Sequence, residues 1–308
     1  MKKARERVWS ILLACVMLLT MLPLSVSAEG EEKTVSTEAE FIQVLAEAQD
    51  GDTVRLLQDI AMTPPTNITE NILYPLVHIS SDITLDLNGK KIYYDDNSYR
   101  DVELKCTPLF FSVEGGAEVT IKGNGTIDTE CGNNNSYGVD IVGNSSVIVE
   151  NGTFTGATSA FQVEAGQLTI YDGTFMQAET IGTEAPNYAK YVINCIDASF
   201  ANGTARIYAL GGTYCFDPSD KPENSETTYV PEGYTATKNN NGTYTVAFSG
   251  EAIAEINGKS FSSLEVAAEV AQNGDTITMV NDAQLSSAIT IDKAITLDLI
   301  WQTITATG

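Results

Sequence analysis

The stretch TEAEFIQVLAEAQDGDTVRLLQDIA, at residues 37–61, returns in altered form as SFSSLEVAAEVAQNGDTITMVNDA at residues 260–283. Each copy is followed by the same five residues, ITLDL, first at 83–87 and again at 295–299. A unit that recurs after so long an interval marks the start of a domain, because the repeats of a solenoid have periods of about 20–50 residues. We therefore expect one complete domain and the beginning of another.

Each copy of the repeated block predicts a short helix with one apolar face. The apolar residues of the first copy have the i, i+3, i+4 and i+7 spacing of such a face, and they are Phe41, Val44, Leu45 and Ala48. One short helix cannot bury its apolar face by itself. We therefore expect it to cover the open end of a stack of strands, with these side chains buried against the first coil.

The ends of both helices carry capping residues. Thr37 and Ser262 are the expected N-caps, because each has a glutamate three residues further on. Gly51 and Gly274 are expected to end the helices in the left-handed conformation. A strand is predicted directly after each glycine.

Between residues 82 and 214 a short phrase recurs: a strand, a polar turn, then Gly-Thr followed by an aromatic residue or isoleucine. The Gly-Thr pairs begin at Gly125, Gly152, Gly173 and Gly212. Their unequal spacing is typical of a β-solenoid, because insertions enter its loops without disturbing the stack. A β-sandwich is the alternative, but it has strands at ~8–12-residue spacing joined by hairpins, which these phrases do not resemble. A stack of about seven to nine coils is predicted.

Taken together, these sequence patterns resemble a known family. The DGDTV and NGDTI exits of the helices, the ITLDLNGK phrase at residues 83–90 and the NGTF and DGTF turns are similar to pectate-lyase-like proteins, above all to secreted surface proteins of Gram-positive bacteria. The resemblance covers residues 34–308. It implies an all-β fold, a right-handed parallel β-helix (a solenoid) with a short N-terminal capping helix, followed by the truncated start of a second β-helix. A hairpin at residues 235–246 would then close the last coil.

These observations divide the chain into three parts. Residues 1–28 have the basic start, the apolar run and the small-residue cleavage site Val26-Ser27-Ala28 of a signal peptide. A retained anchor is the alternative, but the apolar run is short for a span of ~20 residues. We predict a β-helix domain at residues 34–250 and an incomplete second β-helix domain, with its cap helix and first coils, at residues 251–308. The mature chain would be secreted and extracellular, or associated with the cell wall.

The charge of the chain limits its partners. It has 41 acidic and 17 basic side chains and a net charge of −24. Such a surface repels nucleic acid, anionic membranes and anionic polysaccharides. We therefore expect no nucleic-acid partner, and no membrane contact after signal cleavage.

Four cysteines lie beyond the predicted signal peptide, and none belongs to a CxxC pair that would indicate zinc or redox chemistry. Cys106 and Cys131 are separated by about one predicted coil, and so are Cys195 and Cys215. We expect each pair to stack in neighbouring coils. Parallel in-register side chains point the same way and suit the disulfide torsion poorly. Free thiols are therefore expected, with two disulfides as the alternative.

No catalytic residue is predicted. The resemblance implies enzymes that cut acidic polysaccharides with a basic residue and calcium-binding carboxylates, or with clustered aspartates. Here the aspartates are scattered singly, at Asp128, Asp140, Asp172 and Asp197. His78 is the single histidine, and it alternates with apolar residues as an outward-facing strand residue would.

The loop at residues 93–101 is the candidate binding site, since it combines carboxylates, tyrosines and a cation. The predicted binding residues are Tyr94, Asp95, Asp96, Tyr99, Arg100 and Asp101. Such a set suits a sugar or a calcium ion. A solvated polar loop without a ligand is the alternative. No cofactor is predicted other than Ca²⁺ at this loop.

The function predicted from these observations is non-catalytic. We expect an extracellular or wall-associated module that binds polysaccharides, glycans or host surfaces, as an adhesin does, or that serves as a spacer in a larger surface protein. The alternative is a polysaccharide lyase or glycoside hydrolase, which fold analogy alone favours. A basic residue that faces carboxylates across one groove would indicate the enzyme. Self-association through residues 251–308 is expected.

Overall fold

The structure is a computed structural model, and it describes residues 30–99, 101–132, 134–178, 191–220 and 228–306. The predicted signal peptide, residues 1–28, lies outside the described residues. Within them, no helix has the length and the apolar character needed to cross a membrane.

Three sheets form the main body of the molecule. Sheet A has seven strands: β1 (Glu32–Val35), β2 (Thr53–Leu56), β5 (Ile83–Asp86), β8 (Glu118–Lys122), β11 (Ser145–Val149), β14 (Gly166–Ile170) and β17 (Ala205–Ala209). Sheet B has eight: β3 (Ile60–Met62), β6 (Lys91–Tyr94), β9 (Thr126–Asp128), β12 (Thr153–Gly156), β15 (Thr174–Gln177), β18 (Thr213–Tyr214), β19 (Tyr234–Lys238) and β20 (Tyr244–Phe248). Sheet C has five: β4 (Leu73–Ile79), β7 (Thr107–Val113), β10 (Tyr137–Ile141), β13 (Ser159–Val163) and β16 (Ile193–Cys195).

The chain visits the three sheets in turn, which makes the fold solenoid-like. From β2 to β18, successive strands lie in sheets A, B and C in turn, and each pairs in parallel with the equivalent strand of a neighbouring coil. Within the described residues, five coils place a strand in all three sheets, because sheet C has five strands, while sheet A stacks seven. The expected seven to nine coils exceed these five complete coils, because connecting segments such as residues 63–72 and 101–106 lie outside the strands. The prediction of an all-β, solenoid-like fold is therefore confirmed.

Inward-facing side chains of neighbouring coils stack into continuous ladders. In sheet A, Leu85 is in register with Ile121, and Ile121 with Val149. In sheet B, the Gly-Thr-aromatic phrases turn threonine outward and the ring inward. The ring of Phe175 stacks on Phe154 at 5.1 Å and on Tyr214 at 5.0 Å between centroids. Burial of these ladders supplies the hydrophobic stabilisation of the stack.

The predicted cap helix is present as α1 (Glu38–Ala46), and it packs against β1, β3 and β4. Phe41 and Leu45 are buried, as is Ala48 just beyond the helix, while Val44 is partly buried. Thr37 is its N-cap, since its Oγ1 accepts the backbone N–H of Glu40. Gly51 does have a left-handed φ of 90°, but it lies in the turn before β2, because the helix already ends at Ala46.

Two more short helices lie within the stack, α2 (Asp96–Tyr99) and α3 (Asp197–Asn202). The predicted hairpin is present as β19 and β20. It extends sheet B, since β20 pairs antiparallel with β18.

Residues 254–306 form two smaller sheets and a helix. Their elements are β21 (Ala254–Ile256), β22 (Lys259–Phe261), α4 (Leu264–Val270), β23 (Thr276–Met279), β24 (Ala283–Leu285), β25 (Thr296–Asp298) and β26 (Ile304–Ala306). The pairs β23–β25 and β24–β26 are parallel, as in the first coils of the main stack. The predicted cap Ser262 was wrong by one residue, because Ser263 accepts the N–H of Val266. Gly274 (φ 91°) follows the helix end as a turn residue, like Gly51.

This second segment packs against the main stack. The Gln167 side chain donates to the Glu269 carbonyl at 3.1 Å, and the Tyr208 hydroxyl donates to the Glu269 carboxylate. Further along, the Tyr234 hydroxyl donates to the Ser260 carbonyl at 2.7 Å. These contacts place α4 beside the outer face of sheet A.

Among the described residues, no disulfide joins any two of Cys106, Cys131, Cys195 and Cys215. The expected stacking of Cys195 on Cys215 was wrong, because Cys195 lies in β16 of sheet C whereas Cys215 follows β18 in sheet B. Cys106 and Cys131 are also out of register, since β7 and β10 pair Leu109 with Tyr137. The expectation failed because loops of unequal length shift the register between coils.

Candidate functional site

A groove of about 410 Å³ runs along the outer face of sheet A, where the second segment rests against it. One wall is a row of outward-facing side chains, one per coil, which we call the polar column: Asp82, Glu118, Ser146, Gln167 and Arg206. The opposite wall includes Asn273, Asp292 and Lys293. The groove is therefore lined by polar groups from both parts of the chain.

The polar column follows from strand alternation and register. Glu118 begins β8, so Val119 points inward and Glu118 outward. The pairing of Ser146 with both Glu118 and Gln167, and of Gln167 with Arg206, puts one column residue on each strand. Asp82 precedes β5 in the same line, and its Oδ1 accepts the backbone N–H of Glu118 at 2.8 Å. Neighbouring column residues are thus one strand spacing apart, ~4.8 Å.

Charge is unevenly distributed along this column. Burial is the main cause that raises the pKa of Glu118 to about 7; the nearby Asp82 and Asp275 also raise it, and Lys293 lowers it. Glu118 therefore releases its proton less readily than an exposed glutamate does. The other end of the column carries the guanidinium of Arg206.

The two cations of the groove are held by backbone carbonyls. Lys293 Nζ donates to the carbonyls of Glu269 and Ala271 at 2.9 and 2.7 Å, at the C-terminal end of α4 where a cation is favoured. Burial is the main cause that lowers the pKa of Lys293. Arg206 Nη1 donates to the carbonyls of Phe200 and Ala205. Both cations therefore contribute to the structure of the groove walls.

A second cavity of about 380 Å³ adjoins the groove and shares Gln167, Asp292 and Lys293 with it. Its polar lining also includes Glu265 and Glu269 of α4, together with Ser287 and Thr290. The two cavities together form an extended polar surface.

The structure separates the residues of the predicted binding loop. Tyr94 is 2% exposed, and its ring stacks on Phe110 at 4.4 Å inside the fold, so it is not part of the outer surface. Tyr99 packs partly against the core. Asp95 and Asp101 are exposed, and Asp95 accepts the Ser98 hydroxyl at 2.5 Å. Arg100 and the side chain of Asp96 lie outside the described residues.

Other candidate residues lie apart from the groove. His78 is exposed, and its Nδ1 is 3.1 Å from a carboxylate oxygen of Glu114. Among the residues that the structure describes, no group of three or more His, Cys, Asp or Glu side chains is arranged to hold a metal.

Sequence patterns did not identify the groove. Glu118, Gln167 and Arg206 each occupy an ordinary outward position in a strand. The alternation of polar and apolar residues could have shown that they share a face. It could not have shown that the second segment covers that face.

Comparisons with known proteins gave no match: no protein-family model, no curated protein and no solved structure matches this chain.

Proposed function

We propose that the chain is a secreted, non-catalytic module of the cell surface whose groove binds an extended glycan. The observation that carries this proposal is the polar column, which offers one hydrogen-bonding side chain per coil. Carboxylate, amide and hydroxyl groups are the groups that recognise sugar hydroxyls in pockets. A glycan chain that runs along the stack would meet them one after another.

The charge of the molecule favours a neutral or amine-bearing glycan. The net charge of −24 and the acidic end of the groove oppose an acidic polysaccharide. This preference separates the proposal from the acidic substrates that the pectate-lyase resemblance implies.

We also infer that the stack is a right-handed parallel β-helix of the pectate-lyase-like kind, and that residues 251–308 begin a second β-helix. The parallel three-sheet path and the capped first coil support it.

An enzyme is the second candidate, and the proximity of Lys293 to Glu118 in the groove favours it. Burial lowers the pKa of Lys293 and raises the pKa of the Glu118 carboxyl to about 7. These are properties of acid and base catalysts. The two carbonyls bound to Lys293 Nζ oppose a role as a free base.

A panel of neutral, amine-bearing and acidic polysaccharides tests both functions. We expect saturable binding of a neutral or amine-bearing glycan, without new reducing ends or unsaturated products. Gln167→Ala should weaken that binding roughly tenfold, because it removes the central amide of the groove. Thr153→Ala on the outer face of sheet B is the matched control and should bind normally. Binding that both variants retain would place the site elsewhere, and product formation would indicate the enzyme.

A further inference from the structure

The second segment repeats a part of the main stack, and the two copies differ in what covers them. β25 occupies the place of β5, because each is in parallel register with the strand that follows a helix, β23 in one copy and β2 in the other. On its other edge β5 is covered by β8, where Leu85 pairs with Ile121. Among the described strands, β25 is the last of its four-stranded sheet, so its equivalent edge is open.

This open edge leaves core side chains exposed. Leu85 and Leu87 are fully buried in the main stack. The same residues of the second ITLDL sequence, Leu297 and Leu299, are 37% and 41% exposed. Apolar side chains that form the core in one copy and the surface in the other indicate an interaction face.

The backbone of β25 is also open to a further strand. The Thr296 N–H donates to the carbonyl of Asp275 at 2.8 Å, on the β23 side. Since the backbone groups of successive strand residues point to opposite edges, the N–H and C=O of Leu297 face the open edge. In the main stack the corresponding edge is paired, and the Leu87 N–H donates to the Lys122 carbonyl at 2.8 Å. Edge groups of this kind are a template for strand pairing.

The sequence ITLDL at residues 295–299 is complementary to itself in the antiparallel direction. When two copies pair about a two-fold axis at Leu297, each Leu297 faces its equivalent. Ile295 then faces Leu299, and Thr296 faces Asp298. Apolar residues therefore meet on one face, and the aspartates avoid each other on the opposite face. Like charges directly opposite each other would destabilise a strand pair.

We propose that two copies of this chain form a closed dimer through antiparallel pairing of β25 with β25 of the second copy. A two-fold interface uses the same surface on both copies, so each open edge is paired and assembly stops at two chains. The exposed leucines of both copies pack together in it. Residues 295–299 do not line the glycan groove, so the dimer is independent of the proposed function.

Sedimentation of residues 29–308, the full chain without the predicted signal peptide, tests the stoichiometry. We expect a mass that approaches two chains as the concentration increases and rises no further. Leu297→Lys should abolish the dimer, because it places two like charges at the two-fold axis. This variant should fold, since Leu297 is already partly exposed. Leu57→Lys is the matched control, because Leu57 is 41% exposed on the main stack, and it should dimerise normally.

Cross-linking tests the register of the two strands. Hydrogen-bonded residues of an antiparallel pair have Cα atoms ~5.5 Å apart, within disulfide range, so Leu297→Cys should give a disulfide-linked dimer with oxidised glutathione. Thr276→Cys, exposed on the neighbouring strand β23, is the control and should give none. The proposal is overturned by a chain that stays monomeric at high concentration, by assembly beyond two chains, by a Leu297→Lys variant that still dimerises, or by a dimer that Leu297→Cys does not link.

Discussion

The carboxylate of Asp52 lies 2.6 Å from the amine of Lys33, and it also accepts the backbone N–H groups of Gln49 and Glu31. Asp52 is part of the repeated GDT sequence, and this carboxylate joins the end of the cap region to β1 and β2. In the second copy, Asp275 accepts the N–H of Gln272 in the same way, but the Asn257 amide takes the place of the lysine.

The acid stability of the chain should depend on Asp52. Hydrogen bonding to Lys33 and to the two backbone N–H groups lowers the pKa of Asp52 from 3.8 to about 2. Since the folded pKa is the lower one, Asp52 stabilises the fold above pH 3.8, and this contribution is lost as the pH falls toward about 2. Asp52→Asn should lower the free energy of unfolding at neutral pH by about 1.5–3 kcal/mol and flatten its acid dependence.

Urea unfolding at a series of pH values measures both effects. Asp275→Asn, in the equivalent turn where the Asn257 amide replaces the lysine, is the control and should leave the loss of stability between pH 3.8 and about 2 unchanged. An Asp52→Asn variant that loses stability in acid as steeply as the unaltered chain would contradict the assignment.

Truncation of the cap helix side chain Phe41 should destabilise the main stack. Phe41 is fully buried at the end of the first coil, so Phe41→Ala should cost about 3–5 kcal/mol of unfolding free energy. Ile42→Ala on the same helix is the control, because Ile42 is only partly buried. Equal urea midpoints for the two variants would show that α1 does not cap the core.

The turn at Ile300 and Trp301 should be strained. Both residues have left-handed φ angles, 37° and 70°, where the first copy has Asn88 and Gly89 at 48° and 70°. The same turn hydrogen bonds form in each copy, from Lys90 N and from Gln302 N. Since left-handed backbone costs roughly 1–2 kcal/mol for a side chain with a Cβ, Ile300→Asn with Trp301→Gly should stabilise the second segment by about that amount per residue.

Hydrogen exchange of the β23 and β25 amides measures this change locally. The reverse exchange in the first copy, Gly89→Trp, should destabilise the main stack. Faster exchange in the doubly substituted second segment would mean that Ile300 and Trp301 make compensating contacts.

The second segment should promote self-association. Trp301 is 99% exposed, and the same segment exposes four more large apolar side chains, namely Ile291, Leu297, Leu299 and Ile300. Such a patch beside the unpaired edge of β25 favours association. Light scattering should show a concentration-dependent mass for residues 29–308 and a monomer for residues 29–250, and Trp301→Ser should reduce the mass of the longer chain. If both lengths are monomeric at high concentration, the patch is not an association site.

The sequence predicted the strands and the cap because both depend on local patterns. Val119 and Ile121 alternate with polar residues, and Phe41 and Leu45 have helical spacing, so their inward faces follow from periodicity. The groove depends instead on contacts between distant parts of the chain, such as Gln167 with Glu269. No local pattern indicates that pairing. The prediction that Tyr94 belongs to the binding loop was wrong for a related reason. Its alternation with the apolar Ile92 indicates the interior, but the polar residues after it suggested a surface loop.

The register of the coils also sets how the molecule can change in length. Thr153 pairs with Thr174, and Ser146 with Gln167, so the residues between such partners make up one full turn of the chain. Removal of one full coil would place equivalent strand positions next to each other, so the side-chain ladders and the strand pairing could form again. Removal of half a turn would set unlike faces against each other. Evolution or engineering can therefore lengthen or shorten this protein only in whole-coil steps, and each step adds or removes one member of the polar column.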